Sequence, residues 1–332
     1  MQQGGMVMRL LPTPFRRWVL AATVAAMPLV SHSQAYPVKP IHLVVPFPAG
    51  PAADLVARLV GTKMAPALGQ PIIYDNRAGA NGAIGSEFVA HSQPDGYTIQ
   101  VGTSSTHLSS IFLTKNLPYD PIRDFTPIVA LVDPSTCLVV HPGVPVNTVK
   151  ELIDYARRNP GKLSYASSGA GGFLHLAMEQ FKQATGVNIV HIPYKGAGPA
   201  AVDVSAGRVE SAVMSVAQAR PFAAAGKVRI LAYLDRYSFL PPDAPVLADL
   251  TPGFEKLLAY MGLYGPAGLP RPIVNRLNSE ALKALNSPDV RGKLTEIDYG
   301  ILGGSPEDFA AMVDKGMQVY ARVIKATGIQ PE

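Results

Sequence analysis

The stretch from Ile41 to Leu59, IHLVVPFPAGPAADLVARL, combines two patterns of apolar and polar residues. It begins as an apolar, β-branched run, breaks into a loop rich in proline, and restarts at Asp54 with apolar residues at helical spacing. This pattern predicts a strand, a tight loop and a helix. Backbone N–H groups in such a loop can bind a carboxylate or another anion. The pattern also fits an ordinary strand-to-helix connection in an α/β protein.

Strands and helices continue to alternate beyond this unit. The sequence predicts strands at Ile72–Asp75 and Tyr97–Gly102, with a helix through Phe88 between them. This order indicates a parallel sheet with helices on its faces. Polar residues fill Thr103–His107, directly after the third strand. Ligands of such sheets bind outside the carboxyl ends of the strands, so we expect this cluster and the first loop to face one crevice.

A second set of alternating elements follows a segment without helical rhythm. Residues Asn116–Pro145 are rich in proline and β-type residues, and we interpret them as a crossing between two lobes. The second set has helices at Thr148–Arg158 and from Phe173, and the glycine-rich loop Ser167–Gly172 lies just before the latter. Further strands are predicted at the positions Val187–Pro193, Ser211–Val216 and Val228–Leu234.

The chain then returns to the first lobe. We expect the return crossing at Leu257–Tyr264, an amphipathic helix at Pro270–Leu285 and a last helix capped by Ser305, with no strong strand after the crossing. The predicted fold is α/β, with two lobes joined by two crossing strands. Lobe 1 comprises residues 36–136 and 264–332, and lobe 2 comprises residues 137–263.

The amino-terminal segment has the features of a secretory signal peptide. Arg9, Arg16 and Arg17 precede a 13-residue apolar run, Trp18–Val30, and small residues follow at Ser33-Gln34-Ala35. We predict cleavage after Ala35 and an exported, soluble mature protein. Cleavage removes three arginines and no acidic residue, so the formal charge falls from +5 to +2. No basic run with interleaved aromatic residues is present, and we expect no nucleic-acid partner.

The sequence offers little that would support catalysis or metal binding. The seven histidines are scattered, and only His175 and Glu179 have metal-ligand spacing, which fits a helix-surface contact better than a metal site. Cys137 lies in a probable strand and is expected to be a buried thiol. Neither a phosphate-binding GxxxxGK[ST] nor a GxSxG motif occurs. An exported serine hydrolase using Ser168 and His175 is the alternative from another class.

Two glycine-rich loops and one hydroxyl-rich segment remain as candidate chemistry. Their N–H and O–H groups can donate hydrogen bonds to an anion, and no residue stands out as an activated nucleophile or base. Binding of a carboxylate without catalysis is therefore the preferred interpretation, with no cofactor and no metal.

Several segments in the same order make the chain resemble the Bug family of periplasmic solute-binding receptors of tripartite tricarboxylate transporters. They include YPVKPIHLVVPFPAG, GQPIIYDNRAGANGAIG, PDGYTIQVGTSSTH, PGKLSYASSGAGGFLHLAMEQF and VHIPYKGAGPA. The resemblance covers essentially all of residues 36–332. It implies a two-lobed, type II periplasmic binding protein that closes over a small carboxylic acid and delivers it to membrane transporter subunits. We expect a monomer; a sensing partner instead of a transporter is a further alternative.

The resemblance also implies which residues contact the ligand, mostly through backbone N–H groups. The candidates are Phe47, Pro48, Ala49, Gly50, Ala52, Ala53, Thr103, Ser104, Ser105, Ser167, Ser168, Gly169, Tyr194 and Ser215. Asp54 is assigned to capping its helix, because a carboxylate there would repel an acid. Asp203 is either structural or a contact for a positively charged group.

Two departures from the family pattern concern the ligand. The family usually has a second glycine where this chain has Pro51, which has no N–H to donate. It also has a hydroxyl or another small residue where this chain has Ala52 or Ala53. Members often carry an acidic residue near Ser215, and its absence here argues against an amino-acid ligand.

Overall fold

The computed structural model describes residues 1, 2, 4, 36–50, 52–237 and 240–331. Contacts divide the chain into two units, residues 1–35 and Tyr36–Glu332, and the strands and helices of the described residues belong to the second unit. The predicted leader, except for three of its residues, and Pro51 lie outside the described residues. No helix in the described part of the chain combines the length and the apolar character needed to cross a bilayer.

Strands and helices alternate through most of the described chain. The strands are β1 (Ile41–Val45), β2 (Ile72–Asn76), β3 (Thr98–Thr103), β4 (Phe125–Pro134), β5 (Thr136–Val140), β6 (Ser164–Ser167), β7 (Val190–Pro193), β8 (Ser211–Ser215), β9 (Arg229–Tyr233), β10 (Met261–Pro266) and β11 (Tyr299–Gly303). The helices are α1 (Ala52–Leu68), α2 (Ala83–Ala90), α3 (Ser110–Leu113), α4 (Val149–Arg158), α5 (Phe173–Thr185), α6 (Ala197–Ser205), α7 (Val216–Ala224), α8 (Leu247–Leu250), α9 (Arg271–Asn286), α10 (Pro288–Glu296) and α11 (Pro306–Thr327).

The first sheet has the strand order β11-β4-β10-β3-β1-β2. Strands β1 to β4 run in one direction, and β10 and β11 run in the opposite one. Strand β1 lies between β2 and β3, and its apolar side chains are buried on both faces, as a continuous hydrophobic run predicts for a central strand. The loops after β1 and β3 therefore leave the sheet at the same edge.

The second sheet has the order β7-β6-β8-β5-β9, and only β5 runs against the other strands. The prediction of two α/β sheets is thus confirmed, and most strands of each sheet run in one direction, although the crossing strands make five of the nine neighbouring pairs antiparallel. Cys137 is fully buried in β5, as predicted, and burial raises the pKa of its thiol. The predicted strands in the two lobes start and end within three residues of the observed ones.

The chain changes sheet at a single residue. Strand β4 ends at Pro134 in the first sheet, and β5 begins at Thr136 in the second. Ser135 between them donates a hydrogen bond from its Oγ to the carbonyl of Asp298. The Asp298 carboxylate also pairs with Arg220 of α7 at 2.7 Å. The crossing is therefore tied both to α7, the helix between β8 and β9, and to the segment before β11.

The prediction that no strand follows the return crossing is wrong. Strand β11 pairs antiparallel with β4, with Tyr299 opposite Pro134 and Ile301 opposite Val132. Its sequence, YGILG, contains two glycines and carries little β propensity of its own. The free edge of β4 supplies the hydrogen-bond partners, so pairing with a strand distant in sequence creates this strand.

Both predicted helix starts with local caps are confirmed. Thr148 accepts a hydrogen bond from the N–H of Glu151 at the start of α4. Ser305 and Asp308 form a reciprocal capping box at the start of α11. These contacts involve residues three positions apart, so the local sequence is sufficient to specify them.

Candidate ligand-binding site

The loop after β1 is held by Asp54 and by Asn76 of β2, whose Nδ2 also donates to the Phe47 carbonyl at 3.1 Å. The Asp54 carboxylate accepts hydrogen bonds from the N–H of Gly50 at 2.9 Å, from Asn76 Nδ2 at 2.9 Å and from Arg58 Nε at 2.8 Å. Burial opposes its charge, but these three hydrogen bonds hold the pKa of Asp54 below its ordinary value. Asp54 therefore stabilises the start of α1, as predicted, and its charge is already paired.

The candidate residues of this loop differ in exposure. Pro48, Ala49 and Gly50 are exposed, whereas Ala53 is buried. Ala52 and Ala53 form the first turn of α1, where backbone N–H groups have no acceptor within the helix. This turn offers donors that a bound anion can use.

The loop Gly79–Gly82, which leads into α2, packs against the loop after β1. A Cβ placed on Gly82 would lie 2.5 Å from Thr106 Cγ2 and 3.3 Å from Phe47 Cζ. Gly82 also has φ +96°, so both its conformation and its surroundings require glycine. The loop before α2 is thereby fixed between the loop after β1 and the hydroxyl segment after β3.

The hydroxyl segment after β3 uses most of its side chains internally. Thr106 Oγ1 accepts the N–H of Thr103 at 2.9 Å, and Ser104 Oγ accepts the N–H of Tyr260 at 2.9 Å. Ser105, which begins a π-helical turn, accepts the N–H of Phe173 at 3.4 Å. Ser105 therefore contacts the start of α5 beside the second sheet, whereas the hydroxyl of Ser104 secures the return crossing.

A buried histidine lies beneath this segment. His107 Nδ1 is 2.8 Å from Thr106 Oγ1, and its ring stacks on Tyr264 with centroids 4.0 Å apart. His107 is fully buried, and burial lowers its pKa to about 3. The ring is therefore neutral at physiological pH and holds the threonine that supports Thr103.

The loop Ser167–Gly172 uses alternate N–H groups internally. The N–H of Gly169 donates to Ser167 Oγ at 3.2 Å, and the N–H of Gly171 donates to His175 Nδ1 at 2.9 Å. Within the described residues, the N–H groups of Ser168, Ala170 and Gly172 have no protein acceptor. They lie at the amino end of α5, a helix of 13 residues. Three free donors and a helix amino end form an anion-binding surface.

Tyr194 and Ser215 are held by neighbours of the second sheet. The N–H of Tyr194 donates to the Ser167 carbonyl at 3.0 Å, and its hydroxyl donates to Asp203 at 2.7 Å. Asp203 also pairs with Arg208, which supports the structural alternative for this carboxylate. Ser215 caps α7 by accepting the N–H of Gln218 at 3.3 Å. Both side-chain hydroxyls thus already have protein partners.

The segments of the two sheets meet at Ser167–Gly172. A Cβ placed on Gly172 would lie 3.6 Å from both amide atoms of Asn81, and one on Gly171 would lie 3.1 Å from Leu113. Asn81 and Gly172 were not among the candidate ligand contacts, although the loop Ser167–Gly172 was singled out from the sequence as a whole. The segment NRAGANGAIG contains three glycines, and these could have indicated a loop near the site at Asn81. Asn81 has a left-handed backbone, φ 52°, which asparagine tolerates better than most residues.

The structure does not form the catalytic pair considered from the sequence. His175 Nδ1 accepts the N–H of Gly171, so this nitrogen is not placed to take a proton from Ser168. His175 is also buried rather than on a helix surface. A Ser–His contact does occur between Ser167 and His191 at 2.7 Å, but Ser167 is 0% exposed and cannot reach a substrate. Within the described residues, no cluster of three potential metal ligands occurs.

Comparison with known proteins identifies the family of the chain. The family model described as the tripartite tricarboxylate transporter family receptor matches residues 56–329. The chain belongs to this family. A protein of the tcbD–tcbE intergenic region of Pseudomonas sp. strain P51 is 38% identical to the receptor over 317 residues, 93% of this chain and 94% of that protein. BugT of Bordetella pertussis is 32% identical over 301 residues, 89% of this chain and 91% of BugT.

Solved structures extend the similarity to the whole fold. Rpa4515 of R. palustris, determined with adipate, superimposes on the receptor with a TM-score of 0.84 at 35% identity, covering 90% of this chain and 100% of that one. MatC of Rhodopseudomonas palustris, with bound malate, has a TM-score of 0.80 at 31% identity, with coverage of 87% and 100%. The resemblance to Bug receptors and the two-lobed periplasmic-binding fold are thus confirmed. The family is one of solute-binding receptors rather than enzymes, and its membership implies a periplasmic location.

Proposed function

We propose that the receptor captures a small carboxylic acid between its two lobes and presents it to a membrane transporter. Lobe 1 is built on the first sheet and lobe 2 on the second, with boundaries near residues 136 and 263. The protein is exported through the predicted leader, cleaved after Ala35, and acts as a monomer. The ligand site lies where Ser167–Gly172 faces Asn81 and Ser105.

The single observation that carries this proposal is the row of free donors before α5. The N–H groups of Ser168, Ala170 and Gly172 have no acceptor in the described protein, although neighbouring N–H groups of the same loop do. Gly172 is buried and Ser168 and Ala170 are half-buried, so a ligand that covers this loop is favoured when it accepts their hydrogen bonds. A carboxylate offers two oxygens and the negative charge that the helix end attracts.

The charge of the site supports an acid rather than an amine. Asp54, the nearest carboxylate of the first loop, is already paired with Arg58 and bonded to Gly50. Asp203, near Tyr194, is paired with Arg208. Each charge-assisted hydrogen bond contributes about 1.5–3 kcal/mol, so a few N–H donors suffice to hold a carboxylate. Adipate and malate, present in the Rpa4515 and MatC structures, are dicarboxylates and the first probes to use.

A thermal-shift panel tests the proposal. Monocarboxylates, adipate, malate, tricarboxylates and the neutral diamide of adipic acid are added to the mature protein, and the melting temperature is recorded. A ligand at about 100 times its Kd adds about 2.7 kcal/mol of stability and raises the melting temperature by several degrees. We expect at least one acid to produce this shift and the diamide to produce none. A shift with neutral or cationic compounds alone would contradict the proposal.

A further inference from the structure

Three stacked rings lie directly beneath the loop Ser167–Gly172. Tyr165 of β6 and His191 of β7 are opposite each other in the parallel pair, and their rings stack with centroids 4.8 Å apart. His175 of α5 also stacks on His191, with centroids 4.0 Å apart and planes inclined by 13°, and its centroid lies 6.4 Å from that of Tyr165. The stack connects two strands and a helix, and the loop runs from β6 over it to α5.

Both histidines are bonded to the loop through a ring nitrogen. His191 Nε2 is 2.7 Å from Ser167 Oγ, and the same oxygen accepts the N–H of Gly169. His175 Nδ1 accepts the N–H of Gly171 at 2.9 Å. Because Ser167 is completely buried, its hydroxyl acts on the loop and not on a ligand. Two of the loop's N–H groups are thereby turned toward the protein interior.

The hydrogen bonds define the protonation of one nitrogen of His175, and the surroundings of His191 favour its neutral form. His175 Nδ1 accepts a backbone N–H, so this nitrogen carries no proton. Burial and the neighbouring His175 lower the pKa of His191 to about 4, although Glu179 acts in the opposite direction. Two neutral rings stacked at this distance avoid the repulsion that two imidazolium ions would produce.

The backbone conformation makes the alternation of inward and outward N–H groups possible. Gly169 and Gly171, which donate inward, have φ of +141° and +72°. Glycine adopts a positive φ without steric cost, so glycines at these two positions allow the loop to form its two inward hydrogen bonds. The N–H groups of Ser168, Ala170 and Gly172 remain for the ligand.

We propose that His191 and His175 are positioning residues for carboxylate binding, because they determine which N–H groups of the Ser167–Gly172 loop face the ligand. This inference rests on the proposed function. His191 acts through Ser167 on Gly169, and His175 acts directly on Gly171. Neither histidine contacts the ligand.

A double-mutant cycle with adipate as the probe tests the His191–Ser167 contact. His191→Phe keeps an aromatic ring beside Tyr165 and His175 but removes the hydrogen bond to Ser167, and Ser167→Ala removes the other partner. We expect each variant to weaken adipate binding by about tenfold, and the double variant to weaken it by no more than either alone. The inference would be overturned if the double variant lost as much affinity as the product of the two single losses. It would also be overturned if either single variant bound adipate like the wild type.

Two further variants separate positioning from general stability. His191→Gln places an amide nitrogen near the lost Nε2, and we expect it to restore affinity to within about threefold of the wild type. His141→Phe is the matched control. His141 Nδ1 also accepts a backbone N–H, from Gly143 at 3.1 Å, but it lies after β5 and not at the ligand loop. We expect unchanged affinity for this control, and a loss equal to that of His191→Phe would overturn the inference.

Hydrogen exchange of the ligand-free protein tests the positioning role without any bound ligand. We expect His191→Phe to speed amide exchange at Gly169 relative to the wild type and to His141→Phe, as measured by NMR or mass spectrometry. If exchange there is unchanged, the positioning role is refuted. If exchange rises but no acid in the panel binds the wild type, the proposed function fails and the loop-fixing contact stands.

Discussion

Replacing Gly172 by aspartate should separate folding from ligand binding. Gly172 is the N-cap of α5 and has φ −74° and ψ 164°, an extended conformation that any residue adopts. A Cβ there would lie 3.5 Å from the Gly169 carbonyl oxygen and 3.6 Å from the Asn81 amide, which are ordinary contact distances. The substitution therefore introduces a carboxylate at the anion-binding helix end without steric strain.

The two effects of this carboxylate have opposite signs. Aspartate is a better N-cap than glycine by a few tenths of a kcal/mol, and its charge at the helix end adds about 0.3–1 kcal/mol. We therefore expect the ligand-free variant to be more stable by about 1 kcal/mol. Two carboxylates about 4 Å apart repel each other by about 4 kcal/mol at an effective dielectric constant of 20. Affinity for an acid should then fall by about a thousandfold.

Urea unfolding of the ligand-free proteins and calorimetric titration with adipate measure the two quantities. Gly172→Asn is the matched control, because its side chain has the same shape and also caps a helix but carries no charge. We expect the asparagine variant to lose less than about tenfold in affinity. If Gly172→Asp binds adipate as well as Gly172→Asn, the ligand carboxylate does not occupy this helix end, and the reasoning behind the proposed function is refuted.

Three other predictions address the first lobe. His107 has a lowered pKa of about 3, so only the unfolded chain takes up this proton between about pH 6.5 and 3, and stability falls as the pH decreases. Between pH 7.5 and pH 5, His107 should account for about 2 kcal/mol of the loss in the free energy of unfolding. Urea unfolding at the two pH values should therefore show a loss about 2 kcal/mol smaller for His107→Asn than for the wild type. Equal losses in the two proteins would show that His107 titrates normally. Asn81→Asp should weaken adipate binding by at least about tenfold in calorimetry, because it places a negative charge at the proposed ligand loop. The control is Asn116→Asp, at an exposed asparagine with the same left-handed backbone, which should leave adipate affinity unchanged. Pro51→Gly should tighten or broaden acid binding, by up to roughly tenfold to a hundredfold, because it restores an N–H donor; unchanged affinities across the panel would make this position scaffold only.

The periodic and local features were predictable from the sequence. The apolar run Ile41–Val45, its proline-rich loop and the helix from Ala52 follow from patterns within about 20 residues. The caps at Thr148 and Ser305 depend on residues three positions away. The alternation of strands and helices then limits the fold to sheets whose loops meet at one edge, so the sequence was sufficient to select both loops of the proposed site.

Contacts between distant residues decided the rest. Strand β11 exists because β4 offers a free edge, and its glycine-containing sequence does not demand a strand. His191 and His175 appeared as scattered histidines, and only the packing of β7 against β6 and α5 stacks them beneath the loop.

The same division applies to the ligand loops. The sequence by itself determined that glycine and hydroxyl residues follow the strands, because backbone conformation and capping are local properties. The tertiary structure decided which groups remain free: Ser104 and Ser167 are used internally, whereas the N–H groups before α5 are not. Hydrogen-bond partners are fixed only when strands and helices distant in sequence pack together, so the proposed acid-binding surface is a property of the fold.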